Sequence, residues 1–317
     1  MNKQFYKDSL KMLFPIILQN IFAAMMGSVD VIMLNSVGQD AIAAGSLATQ
    51  YSGLVFMFYS GISSGSILLA AQYFGKKDFK ALEAIEGIAL KCSLAVAVAF
   101  SVGASLFPEK LMRVYTADPV LISEGAEYLR IIWVFYLLWA VSNTYFSMLR
   151  SANHVSVATF FNGVGFFLNI ILNAVFIFGF FGIEKMGIRG VALATCISQA
   201  VCVAGCFIVS ARSKDIKLKF SYMFIKSSSL AKDFFKMSLP ALLNDVSWGA
   251  AFSAYVAIMG RLGSDVVAAN SIVCVVRNFA TVFCYAVTAV GGIIVGNLIG
   301  ADKIDEAEKG AKEFLKV

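Results

Sequence analysis

Eight apolar runs, each long enough to cross a bilayer, decide what this chain can fold into. A helix needs about 20 apolar residues to span the hydrocarbon core. The runs cover roughly residues 12–35, 48–74, 88–107, 127–149, 155–181, 188–211, 237–260 and 266–298. None alternates with period two, which argues against a β-barrel. Backbone groups in lipid must bond within their own segment, so the runs are helices. The expected fold is an all-α polytopic membrane protein. Composition agrees: 59% of the 317 residues are hydrophobic and 15% charged, with a mean hydropathy of +0.78. Soluble domains are about 45–50% apolar and about 25% charged. An ordinary soluble enzyme, a disordered chain and a nucleic-acid reader are therefore excluded. One His and no Cys-x-x-Cys pair nearly exclude a soft-metal site. The six cysteines all fall in the runs and read as small packing residues.

The basic residues fix an expected orientation. The segments before 12 and at 75–91, 150–154, 211–236 and 299–317 hold 19 Lys and Arg; the alternate segments hold six. Positive charge marks cytoplasmic loops, so both termini are expected in the cytoplasm of a multi-pass cell-membrane protein. The densest segment, Arg212 to Lys236, carries seven basic and two acidic residues and reads as a linker lying against anionic headgroups. The first run follows Lys3, Lys7 and Lys11 as a signal peptide would, but it is too long and carries Asp30.

The chain also matches itself at an offset of 225. Lys11-Met12 meets Lys236-Met237, Pro15 meets Pro240, Leu18 meets Leu243, and Gly38 and Asp40 meet Gly263 and Asp265. Between residues 11 and 46, 11 of 36 positions agree without a gap, several of them at Pro, Gly and Asp. Six spans precede the second copy, so it begins on the same side as the first. That makes a parallel repeat, as in transporters built from two like halves. The expected domains are a six-helix lobe over 1–211, a basic linker over 212–236, and an incomplete second lobe over 237–317. Repeat arithmetic predicts a parent of about 440 residues and twelve spans.

Four segments in order give the pattern a family. Pro15-Ile-Ile-Leu-Gln-Asn20 with Val29-Asp30 and Gly38-Gln-Asp-Ala-Ile-Ala-Ala44 resembles the first span of the multidrug and toxic compound extrusion (MATE) family. Leu168-Asn169-Ile-Ile-Leu-Asn173, Gly187 to Gln199, and Pro240 to Trp248 resemble its fifth, sixth and seventh spans. The resemblance implies antiporters that expel amphipathic, often cationic, small molecules in exchange for Na⁺ or H⁺. It also implies two facing lobes, and a first helix that bends at the proline matching Pro15 during the cycle. No P-loop of the Gly-x-x-x-x-Gly-Lys-Ser/Thr type occurs, so a gradient would supply the energy and no cofactor is expected. A monomer acting on a small-molecule substrate within the bilayer is the expected form.

Polar residues inside the spans are the candidate site. A carboxylate at mid-bilayer costs about 2.5–3.5 kcal/mol on insertion scales and usually marks an ion path; Asp30 is such a group. Asn169 and Asn173 share a face of span five, which Asn162 extends inward, and Thr195 and Gln199 share a face of span six. At about 1.5 Å per residue, Asp30, Asn173 and Thr195 reach similar depths in the outer half. Hard oxygen ligands suit Na⁺, and a desolvated carboxylate suits a proton. The bland alternative for Thr195 is helix-to-helix hydrogen bonding, worth about 0.6 kcal/mol. The resemblance supports Asp30, Asn169, Asn173 and Thr195 as an ion site, although some branches carry Asp at the position of Asn173. Asp245 and Arg277, in spans seven and eight, are expected to form either a structural ion pair or part of the coupling path. Arg277 could instead face water in a central cavity.

Three other readings stand beside the antiporter. A lipid-linked oligosaccharide flippase of the wider superfamily should show several basic groups in its cavity. A non-transporting fragment would follow from the missing final spans. An intramembrane enzyme would need a His-rich, Ser–His or paired-carboxylate constellation, and the spans hold none.

Overall fold

The computed structural model describes residues 3–34, 37–213, 215–225, 227–261 and 264–315. Its helices are α1 (Lys3–Leu34), α2 (Gln39–Gly75), α3 (Phe79–Leu106), α4 (Pro108–Tyr115), α5 (Pro119–Ser151), α6 (Val155–Phe178), α7 (Gly187–Arg212), α8 (Ser228–Arg261), α9 (Ser264–Gly300) and α10 (Ile304–Phe314). No strand occurs among the described residues. Among the described residues, seven helices are long and apolar enough to cross a membrane: α1, α2, α3, α5, α6, α7 and α9. The expected span at 237–260 falls on α8; many of the side chains in its last three turns lie outside the described residues. The Cys274 side chain also lies outside the description, and the other five cysteines are free thiols.

Local chemistry sets the helix ends. Asp78 caps α3 by accepting from the Ala81 backbone N–H at 3.1 Å. Asp118 caps α5 by accepting from the Val120 N–H at 2.8 Å, ahead of Pro119 in the first turn. Gly179, at φ +77°, closes α6 in the left-handed conformation that glycine adopts freely.

The fold is a six-helix bundle joined to the first two helices of a second, parallel-repeat bundle. Within the first, α5 packs against α2, α3 and α7, while α6 packs against α1 and α7. Its core runs through Ala48, Tyr51 and Val55 of α2 to Leu129, Ile132 and Tyr136 of α5. Small residues dominate several crossings, since helices in lipid associate by close packing rather than by escape from water.

The repeat is visible in the backbone. Adding 225 to the first residues of α1, α2 and α3 gives the first residues of α8, α9 and α10, and α2 and α9 both run 37 residues. The α2–α3 turn has Lys77 at φ 60°, and the α9–α10 turn has Asp302 at φ 62°. Both turns make the same three backbone hydrogen bonds, from Lys76, Lys77 and Asp78 in one and from Ala301, Asp302 and Lys303 in the other.

The two bundles meet at the end that carries these turns. Here α8 and α9 pack chiefly on α2, and α9 also on α1. Gly65 abuts Ser238 and Gly61 abuts Leu242. The repeat-related surface is apolar, with Ile16, Val290 and Ile293 fully or nearly fully buried. At the tip, Gly75 lies on the Asn297 carbonyl and Gly300 on the Gln72 carbonyl. Asn297 Nδ2 also donates to Asn153 Oδ1 at 3.2 Å, which ties α9 to the α5–α6 turn.

The basic linker is docked. Tyr145 donates to the Ile216 carbonyl at 3.2 Å, and the Leu218 N–H donates to Ser210 Oγ at 2.7 Å. Tyr222 reaches Glu83 of α3 at 2.7 Å. Its carbonyl lies so close to Gly87 that no Cβ fits there.

Candidate functional site

Three helices bring the expected polar residues together. Asn169 and Asn173 sit one turn apart on α6, and Asn173 Nδ2 lies 3.2 Å from Asn169 Oδ1. Asn169 Nδ2 donates to Thr195 Oγ1 of α7 at 3.2 Å. Asn173 Nδ2 donates to Asp30 Oδ1 of α1 at 2.6 Å. Asn169 and Asn173 are 1% and 0% exposed. Thr195 donates to the Val191 carbonyl one turn back at 2.9 Å, so its hydroxyl is positioned by its own helix. The chain thus runs Asp30–Asn173–Asn169–Thr195 across α1, α6 and α7.

One acceptor in this cluster is unmet. Asn173 Oδ1 is buried and has no hydrogen-bond partner. An orphan buried carbonyl oxygen beside a carboxylate is costly, and a desolvated cation would satisfy it. Asp30 Oδ1, Asn173 Oδ1 and Thr195 Oγ1 are the hard oxygens that Na⁺ takes, so the residues fit such an ion.

Below this cluster the same helix faces continue into a cavity. Asn162 of α6 and Gln199 of α7 line a space of about 340 Å³ with Gln19, Ser63, Asn143 and Arg150. Its apolar wall includes Phe56, Tyr59 and Trp139; Phe56 and Trp139 stack at 5.9 Å. Sequence reasoning places Asn162 and Gln199 on these faces but passes over Ser63, Asn143 and Ser147. The available signal is the spacing of Asn143 and Ser147, four apart on α5, which puts both on one face. Arg150 reads from the sequence as a loop residue; it lies in the last turn of α5.

Pro15 lies inside α1, and its carbonyl accepts from Thr159 Oγ1 of α6 at 3.1 Å. Gln19, one turn on, donates to the same hydroxyl at 2.6 Å. Asp245 and Arg277, both half-buried, are not joined by an ion pair; the pairs among the described residues are Arg130–Glu109, Arg189–Glu127, Lys303–Glu306 and Lys312–Glu308.

The comparison with known proteins matches this geometry to a family. The family model described as MatE matches residues 15–175, just over half of the chain. The chain belongs to the MatE family. The uncharacterized transporter YisQ of Bacillus subtilis (strain 168) is 22% identical over 95% of this MATE chain and 66% of its own length. The probable multidrug resistance protein YoeA of the same organism is 26% identical over 94% and 65%. The probable multidrug resistance protein NorM of Thermotoga maritima is 22% identical over 93% and 63%. The chain therefore spans a little under two-thirds of the length of these relatives. A crystal structure of a MATE protein in the bent conformation superposes with a TM-score of 0.86 at 19% identity, over 98% of this chain and 69% of that one. An outward-facing multidrug resistance MATE transporter gives 0.83 at 21% identity, over 96% and 68%. MATE proteins are membrane transporters, not enzymes.

Proposed function

We propose that this MATE chain belongs to an ion-coupled antiporter that exports amphipathic small molecules across the cell membrane. The observation that carries the reading is the bonded chain Asp30–Asn173–Asn169–Thr195. It places one titratable group and an unmet oxygen at the meeting of three helices, α1, α6 and α7. Occupation by Na⁺ or H⁺ changes the charge at Asp30 and with it the packing of α1 against α6. Pro15, whose carbonyl is held by Thr159, is the hinge through which that change bends α1. A cationic group on the cargo, which the family resemblance implies, finds its counter-charge at Asp30, above the cavity.

The same proposal sets 1–211 as the first lobe, 212–236 as a cytoplasmic linker and 237–317 as part of the second, with the N-terminus in the cytoplasm. The transporter works as a monomer and needs no cofactor. Asp245 and Arg277 act separately, on the second lobe's side of the path. The reading is tested in proteoliposomes of the complete transporter loaded with a fluorescent dye. An imposed Na⁺ or H⁺ gradient should drive dye movement, and the Asp30→Asn protein should not respond. Wild-type transport that ignores both gradients would overturn it.

A further inference from the structure

We infer that the cavity beneath the ion cluster is an anion-recognising site, with Arg150 as the residue that binds the negative group of an aromatic or amphipathic substrate. This deepens the transporter reading and rests on it for its physiological meaning, but the binding claim stands on the cavity alone.

The chemistry of the lining is one-sided. Of the described residues around the cavity, Arg150 alone is charged; the polar remainder are Ser, Asn, Gln and Tyr. Among the described residues no carboxylate lines the space, so a cation there meets no counter-charge from them. Arg150 itself is only partly satisfied. Its Nη2 donates to Ser147 Oγ at 3.1 Å, while its buried Nε has no hydrogen-bond partner. None of the ion pairs among the described residues includes it. A guanidinium held this way has a neutral acceptor at Nη2 and none at Nε, and a carboxylate or phosphate matches its forked geometry.

The groups around Arg150 are arranged to hold it in place. Ser147 also donates to the Asn143 carbonyl at 2.8 Å and lies 3.1 Å from Ser63 Oγ. Asn143 Nδ2 donates to Ser63 Oγ at 2.7 Å. Hydroxyls and amides of α2 and α5 thus form a small neutral network that fixes Arg150 without neutralising it. Beyond them stand the stacked rings of Phe56 and Trp139, a surface for the apolar body of a ligand. About 340 Å³ lies near the lower end of the range for small-molecule sites. A single basic group suits one carboxylate or sulfonate better than the pyrophosphate of a lipid-linked sugar, which takes several.

Two probes of one size and opposite charge test the assignment: 2-naphthoate and a naphthyl-trimethylammonium. The full-length protein is purified into phosphatidylcholine nanodiscs, and binding is read by quenching of tryptophan fluorescence. Naphthoate should bind saturably and the ammonium compound more weakly. Arg150→Gln should weaken naphthoate at least tenfold and Arg150→Lys less. Ser64→Asp, which adds a carboxylate to the cavity wall, should reverse the preference and does not depend on the Arg150 variants folding. Equal or tighter binding of the cation to wild type would overturn the inference, as would naphthoate binding unchanged in a folded Arg150→Gln protein. Repeating the titration with phosphatidylglycerol discs separates sources of the anion. Displacement of naphthoate there assigns the site to a lipid headgroup, and undiminished binding assigns it to soluble anions; both leave Arg150 as the anion-binding residue. Because the assay needs no gradient, a failed antiporter reading and a failed anion site give different results.

Discussion

Gly75 and Gly300 occupy the same position of the repeat, and each lies on the carbonyl of the residue three before the other: Gly75 on Asn297, Gly300 on Gln72. Residues 72 and 297 are themselves 225 apart. The contact is therefore reciprocal, like the isologous interface of a two-fold dimer, but made within one chain.

A side chain at either glycine should force this end of the two bundles apart. The added Cβ would meet backbone, which cannot rotate away, and overpacking of this kind costs about 1–3 kcal/mol. Spin labels at the exposed Lys80 and Lys309 report the separation of α3 and α10. In Gly75→Val and Gly300→Val the distance distribution should broaden and lengthen. A distribution identical to wild type in both would show that the seam does not govern the spacing.

Asp30→Asn should leave folding intact and remove the response to ion gradients. The amide can still bond to Asn173 but cannot titrate or offer a full charge. Asn173→Leu should be more damaging, since it removes the bond to Asp30 and the link to Asn169 together. The measurement is gradient-driven efflux beside thermal melting. Normal efflux from a well-expressed Asp30→Asn protein is the outcome that sinks the ion-site assignment.

Asp245→Ala and Arg277→Ala should have additive effects. With no ion pair between them, a double-mutant cycle on stability should close within about 0.5 kcal/mol. A coupling above about 1 kcal/mol would restore the pairing expected from span order.

Tyr222→Phe should loosen the linker. The lost bond to Glu83, a hydrogen bond to a charged group, is worth about 1.5–3 kcal/mol. Trypsin cleavage at Lys217 and Lys219 should then rise about 10- to 100-fold, from about 1.4 kcal/mol per decade. Burial, reinforced by the bond to Glu83, pushes the Tyr222 phenol above its ordinary range. The sign follows: a raised pKa keeps the proton, so the contribution is present below about pH 10 and is lost only as pH rises past the raised value. Linker protection by this bond should be the same at pH 7 and pH 9. A loss of the Tyr222-dependent protection by pH 9 would contradict that.

Much of this architecture is legible in the sequence, for identifiable reasons. Spans announce themselves because lipid forces backbone bonding to be local, so the run from Leu168 to Asn173 reads as one helix face. The meeting of Asp30 with Asn173 is approachable because depth along a helix is arithmetic. α4 is not, being eight residues of mixed polarity with no long apolar run to mark it. Arg150 escapes notice because a basic residue at the end of a span reads as a topology signal. Only the placement of Ser63 and Asn143 on two helices shows that it belongs to a cavity wall.

A seam made of glycine against carbonyl carries no chemical identity of its own. It asks of the residues beside it only that they stay small. The walls of the cavity, by contrast, are side chains throughout. A substitution in the cavity wall therefore leaves the glycine-to-carbonyl contact between the two bundles untouched.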